Sequence, residues 1–257
     1  MADISDLLLI VALVTQMKAG SPIGTATGFF YTSGDRLFFV TNRHVVLPEQ
    51  PSNAPDVLSL LLHTDESDLT KNAPFPIPLY DGAAPSFFGY PNYAKVPVDI
   101  VVVPLNMSLR ARYVFKAVSK ANFLPDSFVL SAGDDAMVVG FPRGLSDSVH
   151  NLPIVRAALV SSAPAVHFAG MPFFLIDANL HPGTSGSPVF TRPRSLWPDK
   201  QGNTNLLGGT PSYFLGVHSA TVFVPLATGS EPLGLATVWY GALIEEIIAA
   251  IPAPKAA

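Results

Sequence analysis

The chain contains no cysteine. Disulfides and cysteine-rich zinc sites are therefore excluded. Charge is also scarce: 13% of residues are Asp, Glu, Lys or Arg against 49% hydrophobic, with a net charge of −4 and no basic run. A nucleic-acid binder draws its affinity from neutralising phosphates, so that class is excluded. The hydrophobic content equally excludes a disordered chain. No apolar run reaches the length of a bilayer, because Glu245 and Glu246 break even the apolar C-terminal stretch. The N-terminus, Met1-Ala2-Asp3-Ile4-Ser5-Asp6, is acidic where a secretory signal would be basic, and Leu7–Val14 runs on without a small-residue cleavage site. The expectation is a cytoplasmic protein with no membrane and no nucleic-acid partner. No two histidines stand four apart around a glutamate, so a metallohydrolase is not expected, nor any metal or cofactor.

What is present is turn chemistry. Pro (25) and Gly (19) are spread over all 257 residues and punctuate many short elements. Leu7–Met17 reads as a first strand, and Thr25–Thr32 with Arg36–Thr41 reads as a hairpin around Ser33-Gly34-Asp35. Further strands are expected at Val57–His63, Phe75–Tyr80, Ala136–Phe141, Ile154–Ser162, Phe173–Ile176, Ser187–Thr191 and Tyr213–Val224. Ser108–Ala121 carries helix formers and much of the positive charge, and reads as a short helix or a crossover between domains. Arg192–Thr210 and Pro225–Pro232 read as polar loops. Ala236–Ile251 spaces its apolar residues as an amphipathic helix packed on the body. The sum is an all-β barrel or sandwich with a C-terminal α-helix.

One stretch carries chemistry: Asp177-Ala178-Asn179-Leu180-His181-Pro182-Gly183-Thr184-Ser185-Gly186-Ser187-Pro188. A serine between glycines can meet converging backbone N–H groups, because glycine permits the positive φ that turns them to one point. Such a serine needs a base and a carboxylate to act as a nucleophile. His44 follows an apolar strand in Thr41-Asn42-Arg43-His44-Val45-Val46. Asp99 opens the run Asp99-Ile100-Val101-Val102-Val103, where a carboxylate needs a partner to be near the core. His63, His150, His167 and His181 read as loop or strand-end residues. Asp126, Asp134 and Asp135 lie in polar turns.

These three motifs, in the order His, Asp, Ser, resemble those of the chymotrypsin-fold serine peptidases, in particular the bacterial trypsin-like peptidases of the HtrA type. Gly140-Phe141-Pro142-Arg143-Gly144 is similar to the Gly-Tyr/Phe-Pro turn of that family's second barrel. The likeness runs over roughly residues 20–225, and no PDZ-like tail is expected after it. The resemblance implies two six-stranded antiparallel β-barrels. The expected division is 1–110 for the barrel with His44 and Asp99, 111–125 for the crossover, 126–235 for the barrel with Ser185, and 236–257 for the helix and tail.

It implies Ser185 as nucleophile, His44 as general base and then acid, Asp99 as orienting carboxylate, and the N–H groups of Gly183 and Ser185 as the oxyanion hole. Thr184 stands where digestive and clotting members carry an aspartate that pairs with a newly cut N-terminus. Activation by N-terminal cleavage is therefore not expected. Asn179, Leu180, His218, Ser219 and Ala220 would line the primary specificity pocket. Leu180 implies small or medium aliphatic residues. Gly216-Val217-His218 also resembles glutamyl and viral enzymes in which the histidine reads Glu or Gln. The expected partner is a protein or peptide substrate, with a regulatory partner as a further possibility. The alternative function is a catalytically silent or partner-activated binding module of the same fold. An α/β-hydrolase esterase is rejected, because it needs Gly-x-Ser-x-Gly with its histidine after the serine.

Overall fold

The computed structural model describes residues 4–226 and 229–252. The strands are β1 (Val11–Lys18), β2 (Ser21–Ser33), β3 (Arg36–Thr41), β4 (Val57–His63), β5 (Asn72–Pro78), β6 (Tyr80–Asp81), β7 (Ala84–Pro85), β8 (Phe88–Gly89), β9 (Val101–Leu105) and β10 (Val118–Ser119) in the first half. The second half holds β11 (Asp135–Gly140), β12 (Ile154–Val160), β13 (Phe173–Asp177), β14 (Pro188–Thr191), β15 (Leu196–Pro198), β16 (Thr204–Leu206), β17 (Phe214–Leu226) and β18 (Gly229–Tyr240). Two α-helices are described, α1 (Arg43–Val46) and α2 (Ala242–Ala249). Among the described residues no helix is long and apolar enough to cross a membrane.

The first half forms a sheet in the order β5-β4-β1-β2-β3-β9-β8, with β10 added in parallel to β2. Its outer strand β5 carries Pro74, Pro76 and Pro78 at alternate positions, opposite Leu61, Ser59 and Val57. Proline is compatible with an edge because its missing N–H costs nothing there, and it discourages further pairing. The second half closes into a six-stranded barrel, β11-β12-β13-β18-β17-β14.

Three apolar clusters follow from this. One fills the first sheet around Phe30, Phe39, Leu58 and Leu60, and one fills the barrel around Val138, Val160, Phe174 and Val238. The third joins Phe29, Tyr31 and Val40 of the sheet to Val139, Phe141 and Phe214 of the barrel and to Leu243, Ile244 and Ile247 of α2. The seam between the halves is therefore itself a hydrophobic core. The two glutamates of α2 are tethers. Tyr31 Oη donates to Glu245 Oε1 (2.5 Å), Ser33 Oγ to Glu245 Oε2 (3.0 Å) and Tyr90 Oη to Glu246 Oε2 (3.0 Å).

Several expectations are corrected. Asp6–Leu9 is a 3-10 turn, and the first strand begins at Val11. Ser108–Ala121 contains no α-helix: Met107–Ala111 and Lys120–Asn122 turn as 3-10, with β10 just before the second. Between these turns Tyr113 and Phe115 are buried two apart, a strand-like period, with Arg112 over the Tyr113 ring and Arg110 over the Phe115 ring. Arg192–Thr210 holds the β15–β16 hairpin, pinned by the fully buried Trp197, whose Nε1 donates to Arg194 O (3.2 Å). Pro225–Pro232 belongs to the long β17–β18 ribbon, except residues 227 and 228, which lie outside the described residues. Ala236–Tyr240 is strand, because its β-branched and aromatic residues complete the barrel against β13. The helix starts only at Ala242, after Gly241, where a Cβ would meet the Phe214 ring at 2.6 Å.

Candidate active site

His44 sits on α1, the single turn that follows β3, and Asp99 lies just before β9, the neighbour of β3 in the sheet. Pairing of Thr41 with Val101 brings the ends of the two strands together. Asp99 Oδ2 then lies 2.6 Å from His44 Nδ1, and Asp99 Oδ1 accepts the His44 backbone N–H at 2.9 Å. Asn42 Nδ2 donates to the Asp99 carbonyl oxygen at 2.7 Å and fixes the backbone before the carboxylate. An ionised carboxylate against Nδ1 selects the Nδ1–H tautomer and leaves Nε2 as a base.

A third donor comes from the barrel. β17 carries one extra residue between His218 and Thr221 relative to β18, a bulge around Ser219-Ala220. Bulges re-aim side chains. Here Ser219 Oγ donates to Asp99 Oδ2 at 2.6 Å, while its carbonyl oxygen accepts from Ser185 Oγ at 3.3 Å. Ser219, expected as a pocket wall, lines the cleft and also commits its hydroxyl to the carboxylate. Ser185 Oγ is not hydrogen-bonded to His44 here. Such contacts are commonly loose before substrate binds.

The serine turn lies between β13 and β14, and its backbone is held at every step. Gly183 has φ +94°, and a Cβ there would lie 2.6 Å from the Phe141 carbonyl oxygen. Gly186 has φ +85°, and a Cβ there would collide with the Thr27 carbonyl oxygen. Pro182 O accepts from Arg143 N (2.6 Å), and Thr184 O accepts from Ser187 N (3.0 Å). In a trans peptide the N–H points opposite to the carbonyl. Holding those two carbonyls therefore turns the N–H groups of Gly183 and Ser185 the other way, free of internal partners among the described residues. Arg143 adopts a left-handed conformation, φ 54°, to present its N–H, a local strain of the kind found at functional sites.

Sequence reasoning missed Thr27. This fully buried residue of β2 donates through Oγ1 to Gly183 O (2.8 Å) and accepts there from Phe141 N (3.0 Å). Its own N–H donates to Ser185 O (2.9 Å), and its carbonyl accepts from Thr41 Oγ1 (2.8 Å). One side chain thus joins β2, the Gly-Phe-Pro turn and the serine turn. Its signal in the sequence was only a polar residue in an apolar strand.

The three candidate groups open onto one cleft of about 980 Å³, walled also by Leu180, His218, Ser219 and Ala220. Asn179 is exposed and outside that wall, its carbonyl accepting from Arg156 Nη2. His218 is buried, with Nδ1 3.4 Å from Thr237 O, and desolvation pushes its pKa down to about 4. A carbonyl only accepts, so this contact requires the Nδ1–H tautomer.

The buried neutral His218 sets a pH dependence. The unfolded chain binds this proton below about pH 6.5, whereas the folded chain resists until about pH 4. Stability from this group is complete above 6.5 and is lost as pH falls toward 4, by up to about 3 kcal/mol. Urea midpoints measured from pH 7 to 4 are expected to fall less steeply in His218→Gln than in the wild type. Parallel curves would remove the effect.

The comparisons with known proteins bear on this geometry. The family model described as the trypsin-like peptidase domain matches residues 26–195, about two-thirds of the chain. No curated protein matches. Among solved structures, the serine endoprotease from Yersinia pestis is similar, with a TM-score of 0.54 and 14% identity over 94% of this chain and 62% of that one. The chain thus spans somewhat under two-thirds of that structure's length, and the likeness is one of fold. Architecture and family model agree on the chymotrypsin-like fold with a C-terminal helix, and the chain belongs to the trypsin-like peptidase domain family.

Proposed function

We propose that this protein is a serine endopeptidase that cleaves peptide bonds through Ser185, His44 and Asp99. The observation that carries the reading is the pairing of His44 with Asp99 at 2.6 Å on the same cleft as Ser185. Ser185 Oγ leaves the Ser219 carbonyl and bonds to the scissile carbon as its proton passes to His44 Nε2. The resulting oxyanion is stabilised by the N–H groups of Gly183 and Ser185. The collapsing intermediate expels the amine, which takes the proton back from His44. Water then repeats the sequence on the acyl-enzyme. Asp99 holds the imidazole and stabilises its cation, with Ser219 and the His44 backbone N–H holding Asp99 in turn. A partner-activated or silent module is the alternative. Against it stands the backbone of the serine turn, already held by Arg143, Ser187 and Thr27 in the free chain.

The residue before the cleaved bond is a small or medium aliphatic one, supported by Leu180 at the cleft wall. A second reading has support from His218. With Nδ1–H turned to Thr237 O, its Nε2 is an acceptor, which suits the amide of glutamine better than the carboxylate of glutamate.

A fluorophosphonate probe is expected to label the wild type and to fail on Ser185→Ala with unchanged circular dichroism. Labelling that persists in the variant contradicts the assignment. Turnover is expected to drop about 10⁴-fold or more on loss of Ser185 or His44. Cleavage of a peptide library decides specificity. An aliphatic profile unchanged in His218→Ala supports the first reading, and a glutamine preference lost in that variant supports the second.

A further inference from the structure

A guanidinium carries five N–H donors, and partial burial costs it water at each of them. Three arginines of this chain are half-buried: Arg43, Arg156 and Arg194. Arg194 holds the Asp134 carboxylate at 2.9 Å, and Arg156 donates to the Asn179 carbonyl oxygen. Arg43 has no such partner. Among the described residues its guanidinium makes one long hydrogen bond, from Nη1 to Tyr93 Oη at 3.4 Å, and no carboxylate lies within ion-pair distance of it. The group is nevertheless held in place, with Cζ 4.0 Å from the centroid of the Tyr93 ring. A guanidinium laid on an aromatic face keeps its N–H edge free for a bidentate partner. Arg43 and Tyr93 both line the cleft that holds His44 and Ser185. Two carboxylates share that wall. Asp99 is committed to His44 and Ser219, and Glu49 is exposed and out of ion-pair reach of Arg43.

We infer that Arg43, braced by Tyr93, binds the carboxylate of an Asp or Glu side chain in the substrate, directly beside the residue that precedes the cleaved bond. The inference rests on the endopeptidase reading. In that reading the residue before the bond faces Leu180 and His218, both from the barrel half of the chain. Successive side chains of an extended segment point to opposite sides. Its two immediate neighbours therefore turn to the other wall, where α1 and the segment before β9 present Arg43 and Tyr93. A carboxylate offers that fork a charge and two acceptor oxygens, whereas the matching amide offers one oxygen and no charge. The enzyme thus selects acidic segments through Arg43, independently of which side chain the barrel wall accepts.

Binding to Ser185→Ala reads this preference without turnover. The probes are tetramethylrhodamine-labelled peptides, made in parallel with valine or glutamine before the bond. All are amidated, so that only a side chain can supply the carboxylate. Each carries glutamate or glutamine at one further place: beside that residue, on either side, or five residues before the bond. Fluorescence anisotropy at low salt is expected to show glutamate bound about tenfold more tightly than glutamine at one of the adjacent places, with no gain at the distant one. Adding Arg43→Gln is expected to bring that ratio to about one. Adding Arg43→Glu is expected to turn the preference toward lysine at the same place, a reversal that an arginine serving only the fold does not produce. A glutamate preference that survives Arg43→Gln, that is as large at the distant place, or that is absent from Ser185→Ala overturns the clamp. Fluorophosphonate labelling of the wild type is a separate readout. Labelling without a glutamate preference removes this inference alone, and absent labelling removes the reading beneath it.

Discussion

The site depends on the hydroxyl of Thr27. A serine turn with two left-handed glycines is a high-entropy segment, and its N–H groups stabilise an oxyanion only if they are oriented beforehand. From the opposite sheet Thr27 holds the peptide that links the two donors, through Gly183 O, together with Ser185 O and Phe141 N, while Arg143 and Ser187 hold the donor peptides themselves. Because Thr27 is fully buried, these bonds are sheltered from competing water, and leaving any of their partners unpaired would cost about 1–3 kcal/mol. The nucleophile is thereby placed relative to β2 and β3, and β3 delivers His44. Positioning of nucleophile and base thus shares one anchor.

The rest of the fold keeps that anchor still. The apolar cluster at the seam packs Phe29 and Tyr31, which follow Thr27 along β2, against Phe141, Phe214 and the inner face of α2. Glu245 takes hydrogen bonds from Tyr31 and Ser33 further along the same strand. Sliding one half over the other would break these contacts together. The bulge at Ser219-Ala220 adds a polar tie across the seam, from Ser219 to Asp99.

Much of this was legible in the sequence, and the reasons differ by region. His44 and Asp99 stood out because each meets an apolar strand with a group that is expensive to bury alone, and Ser185 because it stands in a turn between two glycines. The strands of both halves were readable where apolar runs ended in Gly or Pro. The readings failed where composition and period disagree. Ala236–Tyr240 spaces its apolar residues as a helix also would, and only pairing with β13 makes it a strand. Pro225–Pro232 looks like a loop because of its prolines and glycine, yet a ribbon edge tolerates both. Thr27 and the carbonyl-holding roles of Arg143 and Ser187 are contacts over long sequence separations, through groups that every residue or many residues possess. No local pattern announces them.

Positioning of the serine turn by a hydroxyl from the other sheet has one direct measurement. Thr27→Val removes that hydroxyl at nearly constant volume, and steady-state kinetics on a peptide substrate report the consequence. Here kcat is expected to fall about 10- to 100-fold with KM within about twofold, and Thr27→Ser to restore it, because the loss is one of oxyanion-donor placement and not of substrate binding. A Thr27→Val protein with a lower melting temperature but unchanged kcat would contradict it.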